Sequence, residues 1–154
     1  SGRHEAARDR VAAALARYSE ESRLWDEAER LAVSQGDWRG VIRLRQERED
    51  AGLPSPGPDS EALEAALRED GVEGYWHWKA EELAAREAAG SPVSTVERAS
   101  VAAALGDRDE AMALLEEARQ NRDPRLLSLR TDPVWDALRQ DRRFQTLLRA
   151  LARD

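Results

Sequence analysis

The sequence predicts an all-α fold, a right-handed solenoid of stacked helical hairpins that ends in a C-terminal capping helix segment. Apolar residues recur at helical spacing along most of the chain, and the alternation typical of strands is scarce. Gly36, Gly71 and Gly106 stand 35 residues apart. A period near that length, with a turn in its middle, is typical of helix-turn-helix repeats.

The clearest hairpin is predicted over residues 94–124, as two short helices that meet at Gly106 and Asp107. Gly106 can adopt the left-handed conformation that ends a helix, and the side-chain oxygen of Asp107 can cap the next one. The two helices carry facing rows of small and larger residues: Ala99, Ala102 and Ala103, then Met112, Leu115 and Ala118. Such a hairpin leaves an outer apolar face, which a neighbouring hairpin is expected to cover.

Two further hairpins are predicted over residues 22–50 and 59–90, within a single domain that spans residues 1–154. The loop at residues 51–58 separates them, because its three prolines and two glycines interrupt the helical periodicity. In the 59–90 hairpin, we expect Lys79 to lie on a solvated helix face.

Both ends of the chain are also predicted to be helical. Residues 1–18 have the apolar pattern of a second helix whose first helix is missing. Because Gly2 lies 34 residues before Gly36, we expect the chain to be the C-terminal part of a longer protein.

The tail at residues 125–154 is predicted to cap the open end of the stack. Pro124 and Pro133 each stand where a short helical turn can begin, since proline is favoured at a first helical position. The tail carries an apolar stripe suited to packing: Trp135, Leu138, Phe144, Leu147, Leu148 and Leu151.

The 94–124 hairpin resembles a tetratricopeptide repeat. Gly106 and Asp107 stand at that motif's usual turn, and Pro124 lies within one residue of its usual terminal proline. Other matches are the small-large-small second helix and the bulky residue that opens a first helix: Ala111, Leu115, Ala118 and Trp25. The earlier hairpins depart from the motif where small residues are usual, at Glu29, Val41, Glu64 and Trp76. The resemblance covers roughly residues 22–124 and implies a solenoid of degenerate repeats.

The tail resembles the terminal segment of tetratricopeptide-type domains in bacterial regulators. The matching residues are Asp132, Pro133, Trp135, Leu138, Arg139, Asp141, Arg143, Phe144, Leu147 and Leu148. Arg142 stands where that family usually has a second proline. Such domains follow winged-helix transcription regulators, protein kinases or adenylate cyclases. The resemblance therefore implies a bacterial, cytoplasmic segment with a signalling or scaffolding role.

Composition argues against several classes of function. The chain has no cysteine, so disulfides and thiolate metal sites are excluded, and its two histidines, His4 and His77, are far apart in sequence. It has no glycine-rich phosphate loop, nucleophile elbow or HExxH motif. We therefore predict a protein that is not an enzyme, with no catalytic residues, no cofactor and no metal. No apolar run is long enough to predict membrane insertion.

Charge is unevenly distributed along the chain, whose net charge is −7 and pI about 5.0. Residues 59–90 hold nine acidic and three basic side chains, a net of −6, and residues 119–154 hold nine basic and five acidic ones, a net of +4. Solvated helix faces explain such runs, and so does attraction of oppositely charged partners. Direct nucleic-acid binding is not predicted, because it needs a clustered basic face.

The leading hypothesis is a non-catalytic protein–protein interaction module that binds a protein or peptide segment. The resemblance implies a groove lined by the first helix of each hairpin: Arg23, Asp26, Arg30, Glu61, Ala65, Arg68, Val96, Ser100 and Ala103. The lysine and asparagine that hold a peptide's terminal carboxylate in some family members are replaced by Asp26 and Arg30. We therefore expect an internal segment or a folded partner, and another domain of the parent chain remains an alternative.

Two other hypotheses stay open. The segment could be a self-association module for its parent chain. It could also be a small-ligand sensor that uses an aromatic shelf formed by Tyr75, Trp76 and Trp78, although packed hydrophobic core is the simpler interpretation of these rings.

The first prediction concerns secondary structure. We expect the far-ultraviolet circular dichroism spectrum of the chain to be dominated by α-helix, because apolar spacing follows the helical period almost throughout. A spectrum with substantial strand content would contradict the predicted fold class.

Overall fold

The structure is a computed structural model that describes residues 6, 9–11, 22–53 and 55–153. Within these ranges every regular element is helical and no strand occurs, which confirms the all-α prediction. Most of the predicted helix over residues 1–18 lies outside the described residues, although residues 6 and 9–11 are helical.

Six α-helices and two 3₁₀ helices have defined bounds in the described part of the chain. The α-helices are α1 (Ser22–Ser34), α2 (Trp38–Asp50), α3 (Ser60–Ala88), α4 (Thr95–Ala104), α5 (Arg108–Gln120) and α6 (Arg142–Leu151). The 3₁₀ helices span Pro124–Arg130 and Pro133–Leu138, each opened by proline as predicted.

The chain divides by its internal contacts into two compact units. The first unit comprises Ser1–Ser55 and Asp59–Glu64, and the second comprises Pro56–Pro58 and Ala65–Asp154. Helix α3 begins in the first unit and continues into the second. The single domain over residues 1–154 stays a prediction, as does the solenoid arrangement of the hairpins.

A short turn joins α1 to α2 in the first unit. Gly36 adopts a φ of +67°, a left-handed conformation that glycine takes without steric cost. The N–H of Asp37 then donates to the carbonyl of Ala32 at 2.9 Å, and its carboxylate accepts from the N–H of Gly40 at 3.0 Å. The turn therefore ends α1 and caps α2 within two residues, as the sequence predicts.

The turn between α4 and α5 has the same geometry 70 residues later. Gly106 has a φ of +85°, and the N–H of Asp107 donates to the carbonyl of Ala102 at 2.9 Å. The carboxylate of Asp107 accepts from the N–H of Glu110 at 3.1 Å. The hydrogen-bond pattern of one turn thus repeats in the other, residue for residue.

The second helices of these hairpins also end alike. After α2, Gly52 is left-handed and the N–H of Leu53 donates to the carbonyl of Arg48 at 3.1 Å. After α5, Arg122 is left-handed and the N–H of Asp123 donates to the carbonyl of Ala118 at 2.9 Å. The offset is again 70 residues, so local conformation repeats from the turn to the end of the second helix.

Gly71, midway between the two turns, produces a kink in place of a capped turn. Its φ of 63° and ψ of −139° are not helical, so α3 consists of two helical parts that meet at this residue. Val72 follows it and has no side-chain oxygen that could cap a new helix. The kink also brings the backbone of Gly74 against the carbonyl of Ala66, where a Cβ atom would clash. Glycine is therefore required at position 74 as well.

The core of the second unit joins α4 and α5 to the tail. Its most buried members come from both hairpin and tail: Ala99, Ala111, Leu115, Ala118, Leu129, Trp135, Leu138 and Phe144. The rings of Trp135 and Phe144 stack with their centroids 6.4 Å apart. The apolar tail stripe predicted from the sequence thus packs on the hairpin that precedes it.

The second prediction compares two alanines on α5. Ala118 is fully buried in this core, whereas Ala113 is exposed on the same helix. We expect Ala118→Arg to lower the free energy of unfolding by about 3 kcal/mol or more, because charge and volume enter a packed interface. The matched Ala113→Arg change should stay within about 0.5 kcal/mol, as measured by urea denaturation. Equal losses for the two variants would show that the faces of α5 are assigned wrongly.

Candidate functional site

The predicted groove residues of the first hairpin are only partly available to a ligand. Arg23 and Arg30 are exposed on α1, where Arg30 lies 3.9 Å from Glu27. Asp26 accepts a hydrogen bond from Arg48 of α2 at 2.8 Å. Asp26 therefore links the two helices of the hairpin. Of the three predicted groove residues in this hairpin, the two arginines are the exposed ones.

The other predicted groove positions differ in exposure. Glu61 and Arg68 are exposed, Ala65 is half-buried, and Ser100 is half-buried with its hydroxyl donating to the carbonyl of Glu97. Val96 and Ala103 are 4% and 2% exposed and belong to the core of the second unit. These two side chains therefore offer no surface to a ligand in this structure.

The nine groove positions are distributed over both compact units. The groove as a whole stays a prediction, and its accessible charged positions are Arg23, Arg30, Glu61 and Arg68.

The predicted aromatic shelf is largely buried. Tyr75 and Trp78 are each 3% exposed, and their rings stack with centroids 6.0 Å apart. Trp76 is half-buried and meets Tyr75 edge-on at 4.9 Å. A shelf for a ligand needs an exposed ring face, so this burial favours the interpretation of the three rings as packed core.

A buried ion pair crosses the first hairpin. Arg45 of α2 lies 2.6 Å from Glu29 of α1, and both side chains are about 5% exposed or less. Arg45 also donates to the hydroxyl of Ser55 at 3.1 Å. At the 70-residue offset the second hairpin has Ala99 and Leu115, both fully buried. The same two positions are thus filled by an ion pair in one hairpin and by an apolar pair in the other.

A second buried charge lies on α3. The carboxylate of Glu82 is 0% exposed and lies 3.3 Å from Lys79 and 3.5 Å from Arg86. All three residues share one helix face by their spacing of three and four positions. Lys79 is therefore largely buried, with 14% of its side chain exposed, and the prediction that it lies on a solvated face is wrong.

Arg86 extends this cluster to the start of α4. It lies 3.7 Å from Glu97, whose carboxylate also pairs with Arg125 at 2.6 Å and accepts from the N–H of Ser94. The cluster therefore ties α3, α4 and the first 3₁₀ helix together within the second unit.

The pKa of Glu97 shows which effect dominates in the cluster. Burial raises the pKa of its carboxyl, but Arg125, the N–H of Ser94 and Arg86 together outweigh burial and leave the pKa below its usual value. The stability that this carboxylate contributes is present above its unfolded pKa and is lost as pH falls through the lowered folded pKa.

A cleft of about 630 Å³ lies between α5 and α6 in the second unit. Its floor is apolar and is formed by Met112, Ala113, Leu147 and Ala150. Charged side chains from both helices surround this floor. The sequence does not predict this cleft, because the cleft depends on how the tail packs on α5.

Most charges at the cleft's rim are already paired. Arg143 donates to Asp109 at 2.7 Å and to Asp141 at 2.8 Å, and Arg119 donates to Glu116 at 2.8 Å. The Arg143 side-chain hydrogen bond is the main reason that the pKa of Asp141 falls to about 2. Arg142 is exposed and lines the cleft, and its side chain makes no hydrogen bond or ion pair with any described residue.

Chemically, these sites hold paired charges and apolar surface. Among the described residues, His, Asp and Glu side chains nowhere gather in a group of three that could hold a metal ion. None of the helices in that part of the chain combines the length and apolar character that crossing a bilayer requires.

Comparison with known protein families, with curated proteins and with solved structures finds no match for this chain.

The buried ion pairs could be predicted only in part from the sequence. Glu29 stands out as an acidic residue where the repeat motif has a small one, but its partner Arg45 is 16 residues away. The spacing of Lys79, Glu82 and Arg86 is readable as helical pairing, yet nothing local shows that the pairing is buried.

The third prediction concerns adjacent glutamates of α3. Glu82→Gln removes the buried carboxylate and leaves Lys79 and Arg86 facing each other, so we expect a loss of about 2 kcal/mol or more in the free energy of unfolding. The matched change Glu81→Gln is exposed and should stay within about 0.5 kcal/mol. Chemical denaturation monitored by circular dichroism measures both. If the two variants lose the same free energy of unfolding, the Glu82 cluster has no structural role.

Proposed function

We propose that this chain is a non-catalytic protein-interaction module built from tetratricopeptide-like helical hairpins in a right-handed solenoid. The observation that carries the proposal is the repeated hairpin geometry. The turn, the cap and the helix end of α1–α2 recur in α4–α5 with an offset of 70 residues. Repetition of local structure at twice a 35-residue period supports an array of hairpins.

The segment between the two matching hairpins supports the same proposal. Gly71 lies 35 residues from each turn and separates the two helical parts of α3. The middle repeat is then a degenerate hairpin whose two limbs are the two parts of α3. This irregularity fits the sequence, in which Val72 replaces the capping aspartate of the other two turns.

Binding is favoured over catalysis by the way the charged residues are used. The buried carboxylates of Glu29 and Glu82 lie against Arg45, Lys79 and Arg86, as in structural ion pairs. Catalytic acids and bases need a group aimed at a substrate. These structural ion pairs support the proposal of a rigid scaffold that presents a binding surface to a partner.

The proposed partner is a protein or peptide segment, or a domain of the parent chain, that meets the first-helix groove. The exposed charges of Arg23, Glu61 and Arg68 make no ion pair with any described residue, so they are available to a partner. Exposed charges contribute to the rate and selectivity of association more than to its strength. The resemblance of the tail extends the proposal to a cytoplasmic bacterial regulator, in which the segment has a signalling or scaffolding role.

The fourth prediction tests the groove. Reversing Arg23, Arg30 and Arg68 together to glutamate should remove the proteins captured by the chain from its native host, because all three charges are exposed on the proposed binding face. Affinity capture followed by mass spectrometry compares the variant with the unmodified chain. Circular dichroism should show unchanged helix content, since exposed substitutions rarely alter stability by more than about 0.5 kcal/mol.

The matched control reverses three exposed arginines outside the groove, Arg39, Arg43 and Arg130. This variant has the same net charge as the groove variant and should retain the captured proteins. Loss of the same proteins from both variants would show that net charge, and not the groove, holds them.

A further inference from the structure

The cleft between α5 and α6 is a second surface suited to a protein partner. We propose that it binds an amphipathic helix whose apolar face is flanked by carboxylates. This surface is formed by the second helix of the last hairpin and by the tail. It is therefore separate from the first-helix groove and does not depend on it.

The shape of the cleft fits a helix. The α5 residues that line it run from Asp109 to Arg119 at spacings of three or four, and the α6 residues run from Arg142 to Ala150. At 1.5 Å per residue these stripes are about 15 Å and 12 Å long. A groove of that length between two helices accepts two to three turns of a third helix, with apolar anchors at helical spacing.

The floor of the cleft provides apolar contact and room for an incoming side chain. Ala113 and Ala150 are small, so they leave space between the helices. Met112 and Leu147 also line the cleft, although at 7% and 3% exposed each presents only a small apolar surface there. The thioether of Met112 is flexible and polarizable and can adapt to different apolar side chains.

The charged residues at the rim of the cleft determine whether an acidic or a basic partner helix is favoured. Glu116 is paired with Arg119, and Asp109 shares Arg143 with Asp141, whereas the side chain of Arg142 makes no ion pair with any described residue. Helix α6 carries Arg142, Arg143 and Arg149 and no acidic residue, so its edge of the cleft is basic. A carboxylate beside the apolar face of a partner helix would pair with Arg142, and a basic helix would be repelled.

The test uses two synthetic fluorescent peptides that share one leucine-rich helical face and differ only in their flanking residues. One carries glutamates and the other lysines. In fluorescence anisotropy at about 50 mM salt, the glutamate peptide should bind at least about tenfold more tightly, and added salt should reduce the difference. Equal binding of both peptides, or no binding of the glutamate peptide at about 1 mM, overturns the proposal.

Variants locate the binding within the cleft. Arg142→Glu should weaken binding of the glutamate peptide about fivefold or more. The matched Arg130→Glu, outside the cleft, should change the affinity for this peptide less than about twofold. Ala113→Arg should block the floor while leaving helix content unchanged. Equal effects of Arg142→Glu and Arg130→Glu would show non-specific attraction and overturn the proposal.

Two further measurements separate this site from its alternatives. The variant in which Arg23, Arg30 and Arg68 are reversed should still bind the glutamate peptide. The groove proposal and the cleft proposal can therefore fail independently of each other. Sedimentation velocity measures self-association of the unmodified chain. If the chain self-associates and Ala113→Arg makes it monomeric, a second copy occupies the cleft and the proposal is wrong.

Discussion

The glycine–aspartate turn is the constraint on which both hairpins depend. A left-handed glycine redirects the chain, so the next N–H reaches back to a carbonyl of the preceding helix, and the aspartate caps the following helix. The end of one helix and the start of the next are thereby fixed within two residues at Gly36–Asp37 and Gly106–Asp107. Side chains that face each other across the hairpin must then fit a separation that the turn has set.

The two hairpins satisfy that requirement with different chemistry at the same positions. Ala99 and Leu115 fill the space between α4 and α5, whereas Glu29 and Arg45 fill the equivalent space between α1 and α2 with an ion pair. A buried pair of this kind contributes little net stability over an apolar pair, but removing one partner is costly because the other charge is left buried. The departure of Glu29 from the repeat motif is therefore compensated by Arg45, and the hairpin conformation survives the change.

Features set by local chemistry could be predicted from the sequence, and features set by distant contacts could not. The turns at Gly36 and Gly106 and the proline-opened 3₁₀ helices follow from residues within a few positions. The break between two helices at Gly71 was likewise predicted from its spacing, although Val72 follows it where the other two turns have a capping aspartate. The burial of Lys79 depends on Glu82, which is buried by tertiary packing. The predicted groove came from the motif's register, which does not reveal that Val96 and Ala103 contribute to the core.

The distribution of paired and unpaired charge separates the structural ion pairs from the charges that the proposed partners would meet. Arg45, Arg48 and Arg86 each lie against a carboxylate inside the structure, so their charges are paired within the fold. Arg68 and Arg142 are exposed and have no counter-ion among the described residues. An exposed arginine gains most from a partner that supplies a carboxylate and excludes water from the pair. At Arg142 the adjacent apolar floor can exclude water, which makes the cleft a more selective surface than an isolated charge on a helix face.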